Sequence, residues 1–273
     1  MPCESIAKYR PGGLHPVTLG TIICSPTARY RVVQKLGVGG FSTVWLVEIL
    51  GTPGIAAMRI SSAQSTPPGQ DDVLRHIAMM ESPPAHFVAI FDRFKMEGPN
   101  GTHEVIVMEI LAPVTAALYW MTGCFRPSSA VPNAGSSGMP GATQGRTSAA
   151  ATRKAITRSL VEAVSEMHAA GIVHGDLHMC NVGLELAGLA SGSDRNKRYI
   201  KRTPETTVVL PLDPILEAYS SHWPPYIVEP WNFSSYLRDL GTDQLTPVVK
   251  IFDFGSGPIA WNGPIPRPAS STR

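Results

Sequence analysis

Residues 174–181, HGDLHMCN, constrain the chain more than any other stretch, because they put a carboxylate and a carboxamide five positions apart just after a helical pattern. ATRKAITRSLVEAVSEMHAAG (151–171) carries Ile156, Leu160, Val164 and Met167 on one stripe, with Gly171 as a stop. A loop leaving such a helix can aim Asp176 at an acceptor hydroxyl and Asn181 at a magnesium ion. Further on, PVVKIFDFG (247–255) reads as a strand ending in Asp253-Phe254-Gly255, a second carboxylate suited to a hard cation. A capping aspartate in an ordinary loop explains the first motif alone but not the ordered pair.

A third element precedes both. RYRVVQKL (29–36) and FSTVWLVEIL (41–50) are β-prone runs separated by glycines, which predicts a hairpin with Gly37, Val38, Gly39, Gly40, Phe41, Ser42 and Val44 in a GxGxxSxV pattern. Bare backbone amides in such a loop can cover nucleotide phosphates, and Val44 can pack on a base. Taken singly, a glycine-rich hairpin is more often just a turn. IAAMRI (55–60) is expected as a third strand carrying Arg59. HFVAIFDRF (86–94) and THEVIVMEI (102–110) are expected as two more, joined by the turn EGPNG. Between IAAMRI and HFVAIFDRF, QDDVLRHIAMM (70–80) has Val73, Leu74 and Ile77 at helical spacing. The expected fold class is thus α+β: a five-stranded antiparallel N-lobe with one helix, followed by an incomplete, mainly helical C-lobe, in a bilobal protein-kinase-like arrangement.

Bulk composition narrows the partners. The 23 basic and 21 acidic residues are scattered and sum to a net charge of +2, which gives no electrostatic reason for nucleic acid or membrane as a direct partner. No apolar run is long enough for a membrane span, and no charged n-region with an apolar h-region opens the chain, so an intracellular location, cytoplasm or nucleus, is expected. Cys3, Cys24, Cys124 and Cys180 lie far apart, without zinc spacing. The expected boundaries are an N-terminal extension (1–28), an N-lobe (29–111), a partial C-lobe (112–257) with a flexible insertion at 126–148, and a disordered tail (258–273).

Several phrases resemble one family. YRPGGLHPVTLG and RYRVVQKLGVGGFSTVWLVE are similar to the entry of the SR-protein-specific serine/threonine kinases, including fungal members. FDRFKMEGPNGTHEVIVMEIL resembles their following strands and hinge, and GIVHGDLHMCN their catalytic loop. The resemblance implies ATP and Mg2+ as cofactors and a Ser/Thr hydroxyl of a protein, such as an Arg-Ser-rich splicing factor, as acceptor. It implies Asp176 as catalytic base and Asn181 and Asp253 as metal ligands. Gly37 to Val44, Ala57 and Arg59, and the hinge at Glu109 to Leu111, would bind the nucleotide.

The pattern is also broken in places. Arg59 stands where the family has a phosphate-pairing lysine, and Gln70 with Asp71 and Asp72 where a helix glutamate would meet it. Gly175, His178 and Gly183 replace an arginine, a lysine and a bulky apolar residue. Gly255 lies close to Arg273, so the sequence reads as a truncated member with altered catalytic motifs. These departures keep a second reading open, a nucleotide-binding pseudokinase or scaffold without turnover. HGDLHxxN also resembles the loop of aminoglycoside and choline kinases, a small-molecule alternative disfavoured by FSTVW, EGPNG and DFG.

Overall fold

The structure, a computed structural model, describes residues 3–64, 73, 77, 80, 84–121, 142–186, 203–211, 221–240 and 245–254. Its main feature is an antiparallel sheet in the order β1-β2-β3-β4-β6-β5. The strands are β1 (Ile22–Cys24), β2 (Arg29–Val38), β3 (Ser42–Ile49), β4 (Ile55–Ser61), β5 (Ile90–Gly98) and β6 (Gly101–Met108). Five of them are those expected from the sequence. The sixth, β1, pairs Ile22 with Arg31 and Cys24 with Arg29, so the sheet runs past the boundary expected at residue 28. β5 begins at Ile90 rather than His86, and its pairing with β6 continues to Gly98 opposite Gly101. Gly101, at φ 126°, takes a backbone angle that a side chain would resist.

Strand parity divides the side chains between two cores. Trp45 and Val47 of β3, with Met58 and Ile60 of β4, fill a core on the outer face with Tyr30, Val32, Phe94, Val105 and Val107. Leu46 and Ala57, with Val44 packed beside them, face the opposite way, into a core shared with the second half of the chain. Arg59 is two residues from Ala57 and directly opposite Val44, so the same parity turns it toward the second half.

That half contains more strand than expected. β7 (Leu111–Pro113), β8 (Val182–Leu186) and β11 (Leu245–Ile251) form a three-stranded antiparallel sheet in the order β11-β8-β7. β9 (Thr206–Val208) and β10 (Tyr226–Val228) make a separate pair. The helices are α1 (Val114–Met121), α2 (Ala142–Ala169) and α3 (Phe233–Leu240). α2 starts within the stretch expected to be a flexible insertion, so residues 142–148 are helical, while 126–141 lie outside the described residues. Ile156, Ala163 and Met167 are buried and Leu160 and Val164 pack beside them, the stripe read from the sequence. Gly171, at φ 71°, closes α2: its N–H donates to His168 O (3.0 Å), and Ile172 N–H donates to Met167 O (3.1 Å). This left-handed closure buries Ile172 and launches the 174–181 loop in a fixed direction.

Of the helix expected at 70–80, Val73, Ile77 and Met80 are described; Val73 and Ile77 are helical and buried in the shared core, and Met80, past the helix, packs beside them. Gln70, Asp71, Asp72, Gly255 and the tail at 258–273 lie outside the described residues. Among the described residues, no helix is long and apolar enough to cross a membrane.

The outer face of the large sheet is covered from both ends of the sequence. Val17 and Ile23 join its core from one side and Val228 from the other, and Trp231 N–H donates to Lys35 O at 2.7 Å. Tyr226, Val228 and Trp231, expected within the C-lobe, therefore return to the sheet. His15 is pressed edge-on against His103 (ring centroids 4.9 Å apart), and its Nδ1 has no hydrogen-bond partner among the described residues. Burial, with the neighbouring His103 adding to it, lowers the His15 pKa from 6.5 to about 4. The unfolded chain therefore takes up a proton first on acidification. Stability is complete above about pH 6.5 and falls as the pH drops toward 4, by up to roughly 3 kcal/mol at about 1.4 kcal/mol per unit. Urea denaturation across this range should show the loss in the wild type and a flatter profile in His15→Phe; parallel profiles would contradict the assignment.

Candidate functional site

The glycine hairpin forms as expected, with Val38 opposite Thr43 and Gly37 opposite Val44. Gly39 N–H donates to Ser42 O at 2.8 Å, and Ser62 N–H to Phe41 O at 2.8 Å. A Cβ added at Gly37 or Gly40 would meet open space, so one side of the loop is bare backbone. Phe41, at the tip, is 70% exposed. Ser42 is buried, and its Oγ accepts a long hydrogen bond from Arg59 Nε (3.4 Å).

Arg59 is the link between the halves. Its Nη2 lies 3.2 Å from Asp253 Oδ1, the carboxylate at the end of β11. Asp253 adopts φ 63°, the one non-glycine residue with positive φ among those described. Aspartate tolerates this region better than bulkier residues, but the geometry still carries strain of the kind that collects at functional sites. It turns the carboxylate back toward the sheet while Phe254 is driven inward. Phe254 is 1% exposed and packs against Phe87 and His174, each ring centroid 5.2 Å away.

The 174–181 loop is held by backbone contacts. His174 Nε2 donates to Phe252 O (3.0 Å), and its Nδ1 accepts from Asp176 N–H (3.3 Å), so one neutral tautomer satisfies both. Asn181 is buried, and its Nδ2 donates to Asp176 O at 2.9 Å. That bond fixes the amide plane and leaves Oδ1, an oxygen suited to a hard cation, on the other side. Phe252 N–H donates to Asn181 O at 3.2 Å, tying the 252–254 segment to the loop. The Asp176 carboxylate itself is 58% exposed, with His178 Nε2 at 3.5 Å.

The hinge positions take other roles in addition. Glu109 Oε1 accepts from Ala89 N–H (2.7 Å) and pairs with Lys250 Nζ (3.2 Å), while Glu109 N–H donates to Ala89 O (3.0 Å). Its side chain thus fastens β11 to the segment before β5. Leu111 opens β7 opposite Glu185. Gly183 is buried between Pro113 and Lys250 in the register of the small sheet. A Cβ there would come within 2.7 Å of Leu111 Cβ and 3.3 Å of Phe252 Cε1. The space left by the missing side chain is filled by Leu111 and Phe252.

Of the positions singled out from the sequence, Ser42, Arg59 and Asp253 are joined to one another and Asn181 is joined to Asp176, whereas the Glu109 carboxylate is tied to Lys250 and Phe41 sits at the loop tip. Lys250, Phe252, Phe87 and His174 were not singled out individually. His174 and Phe252 flank the two motifs, a positional signal; Phe87 and Lys250 carry none.

A curled antiparallel sheet with a glycine hairpin, joined at Met108–Leu111 to a helix and small sheet bearing the two motifs, defines a protein-kinase-like fold. No family model matches the chain. Among curated proteins, serine/threonine-protein kinase SKY1 of Saccharomyces cerevisiae is 29% identical over 216 residues, 73% of this chain and 26% of that protein. Serine/threonine-protein kinase spk-1 of Caenorhabditis elegans is 34% identical over 115 residues, 40% of this chain and 11% of that protein. SRSF protein kinase 3 of Homo sapiens is also 34% identical over 115 residues, covering 40% of this chain and 20% of that one. The chain is similar in sequence to these serine/threonine-protein kinases, and it spans about a quarter or less of the length of these three. Among solved structures, the BubR1 kinase domain aligns with 90% of this chain and 52% of that chain at 12% identity and a TM-score of 0.45, too low to carry the fold assignment.

Proposed function

We propose that the chain binds ATP with Mg2+ between the large sheet and the 174–181 and 252–254 segments, and transfers the γ-phosphoryl group to a Ser or Thr hydroxyl of a protein substrate. The observation that carries this reading is the meeting of Arg59 and Asp253 at 3.2 Å beneath a bare glycine loop, beside an Asn181 whose amide is already oriented. Four separate stretches of the sequence supply these groups. Backbone amides of Gly37 to Ser42 would cover the phosphates, Val44 and Ala57 the base, and the backbone of Glu109 to Leu111 its polar edge. Arg59 would pair with phosphate oxygens. Asn181 Oδ1 and the Asp253 carboxylate, which is 37% exposed, would hold the metal, whose contribution is to neutralise charge on the transferring group. Asp176, exposed toward solvent, would accept the hydroxyl proton of the substrate.

The Arg59–Asp253 pair also favours a second reading. A guanidinium engages one oxygen of the proposed metal ligand, and a planar fork does not reproduce a compact ammonium. Under this reading the chain binds nucleotide without turnover. Incubation with radiolabelled ATP, Mg2+ and an Arg-Ser repeat peptide separates the readings. Label on the peptide supports transfer; saturable nucleotide binding with an unlabelled peptide supports the second reading; neither binding nor label overturns both.

A further inference from the structure

The segment before β1 reaches the glycine loop through one side chain. Lys8 Nζ donates to Gly39 O and Gly40 O, both at 3.3 Å. In a trans peptide the C=O and the following N–H point in opposite directions. Fixing the carbonyls of Gly39 and Gly40 toward Lys8 therefore turns the amides of Gly40 and Phe41 away from it. A Cβ at Gly40 would meet nothing within 4 Å, and a cavity of about 380 Å³ lies between the loop and Cys3–Ser5.

Lys8 is itself held from several directions. It ends a short turn, Ile6–Lys8, whose Ser5 Oγ accepts from Ala7 N–H at 3.3 Å. Its own N–H donates to Ser5 O (3.0 Å), and its carbonyl accepts from Leu14 N–H (2.9 Å). On either side, Glu4 forms a buried ion pair with Lys35 of β2, and Tyr9 donates to Glu4 at 2.5 Å. Gly12 and Gly13 carbonyls accept from Gln64 and Ala63, just past the end of β4. The segment is thus built into the sheet at both ends, and its half-buried lysine is aimed at the loop tip.

We infer that Lys8 is a positioning residue for phosphate binding: by holding the Gly39 and Gly40 carbonyls, it presents the Gly40 and Phe41 amides to the phosphates of the nucleotide. This rests on the nucleotide site proposed above. The full chain is titrated calorimetrically with Mg-ATP and with adenosine, which lacks phosphates, as wild type, Lys8→Ala and Lys8→Arg. Backbone hydrogen exchange at Gly40 and Phe41 is followed without nucleotide. Loss of two charge-assisted bonds is expected to weaken ATP about fivefold, leave adenosine unchanged and speed exchange at both amides, with Lys8→Arg restoring the ATP affinity and the exchange rates. Equal ATP affinity in Lys8→Ala, or a parallel loss for ATP and adenosine, overturns the inference. If the wild type binds neither compound, the nucleotide site itself falls. Exchange then decides the role of Lys8 on the loop: faster exchange in Lys8→Ala supports it, and unchanged exchange overturns it.

Discussion

Replacing Lys35 with methionine should destabilise the chain by about 3–5 kcal/mol, the cost typical of leaving a buried charge without its partner. The Lys35 and Glu4 side chains are 1% and 0% exposed and form an ion pair. The ammonium also lies 5.1 Å from the centroid of the Trp45 ring. Burial would raise the Glu4 pKa, but hydrogen bonds from Lys35 and Tyr9 outweigh it and hold the carboxyl below its usual range. Its stabilisation is therefore present above the unfolded value near 4.5 and is lost as the pH falls below it. Methionine matches the lysine stem but leaves Glu4 charged and unpaired. The double variant Lys35→Met/Glu4→Gln should recover much of the loss, because neither charge then remains buried. Urea denaturation of both variants checks this. A Lys35→Met cost below about 1 kcal/mol would mean that the pair is solvated and the first residues are not fastened to the sheet.

Asp176→Ala should lower phosphoryl transfer by about 10²–10⁴-fold while leaving ATP affinity within about twofold of the wild type. The separation follows from which atoms of Asp176 do what. Its carbonyl accepts from Asn181, and its N–H donates to His174; alanine keeps both. Only the exposed carboxylate is removed. The Asn181 amide proposed to hold the metal thus stays oriented while the proposed proton acceptor is lost. Initial rates with saturating Mg-ATP and an Arg-Ser peptide, alongside a nucleotide titration, give both quantities. An unchanged rate would remove Asp176 from the chemistry, and a matching loss of ATP affinity would make its role structural.

Much of this site was legible because it depends on local rules. Two-residue periodicity alone sets Ala57 and Arg59 on one face, and the register opposite β3 adds Val44. Gly171 as a helix stop fixed where the 174–181 loop begins, and its left-handed φ realises that reading. What escaped was decided by contacts distant in sequence. Trp231 bonds to Lys35 and Tyr226 OH accepts from Leu19 N–H, pairings between a breaker-rich stretch and the sheet that leave no periodic signature in either. The N-terminal residues read as a loop because their anchors are single polar side chains, Glu4, Lys8 and Tyr9, rather than an apolar stripe. Gly183 was legible as a departure, but its compensation by Leu111 and Phe252 needed the three-strand register. Arg59 was legible as an odd residue. That its partner is Asp253 follows from the strained turn at 253, which sequence does not announce.

In the proposed function, Arg59, Asp253 and the glycine loop form one metal-dependent nucleotide site. Calorimetric titration of the full chain with ATP, in Mg2+ and again in EDTA, for wild type and Arg59→Lys, tests it most directly. Saturable binding that weakens in EDTA is expected, with a stronger Mg2+ dependence in Arg59→Lys, where a point charge replaces the fork engaging Asp253. No ATP binding by the wild type, or identical binding with and without Mg2+ in both proteins, would contradict it.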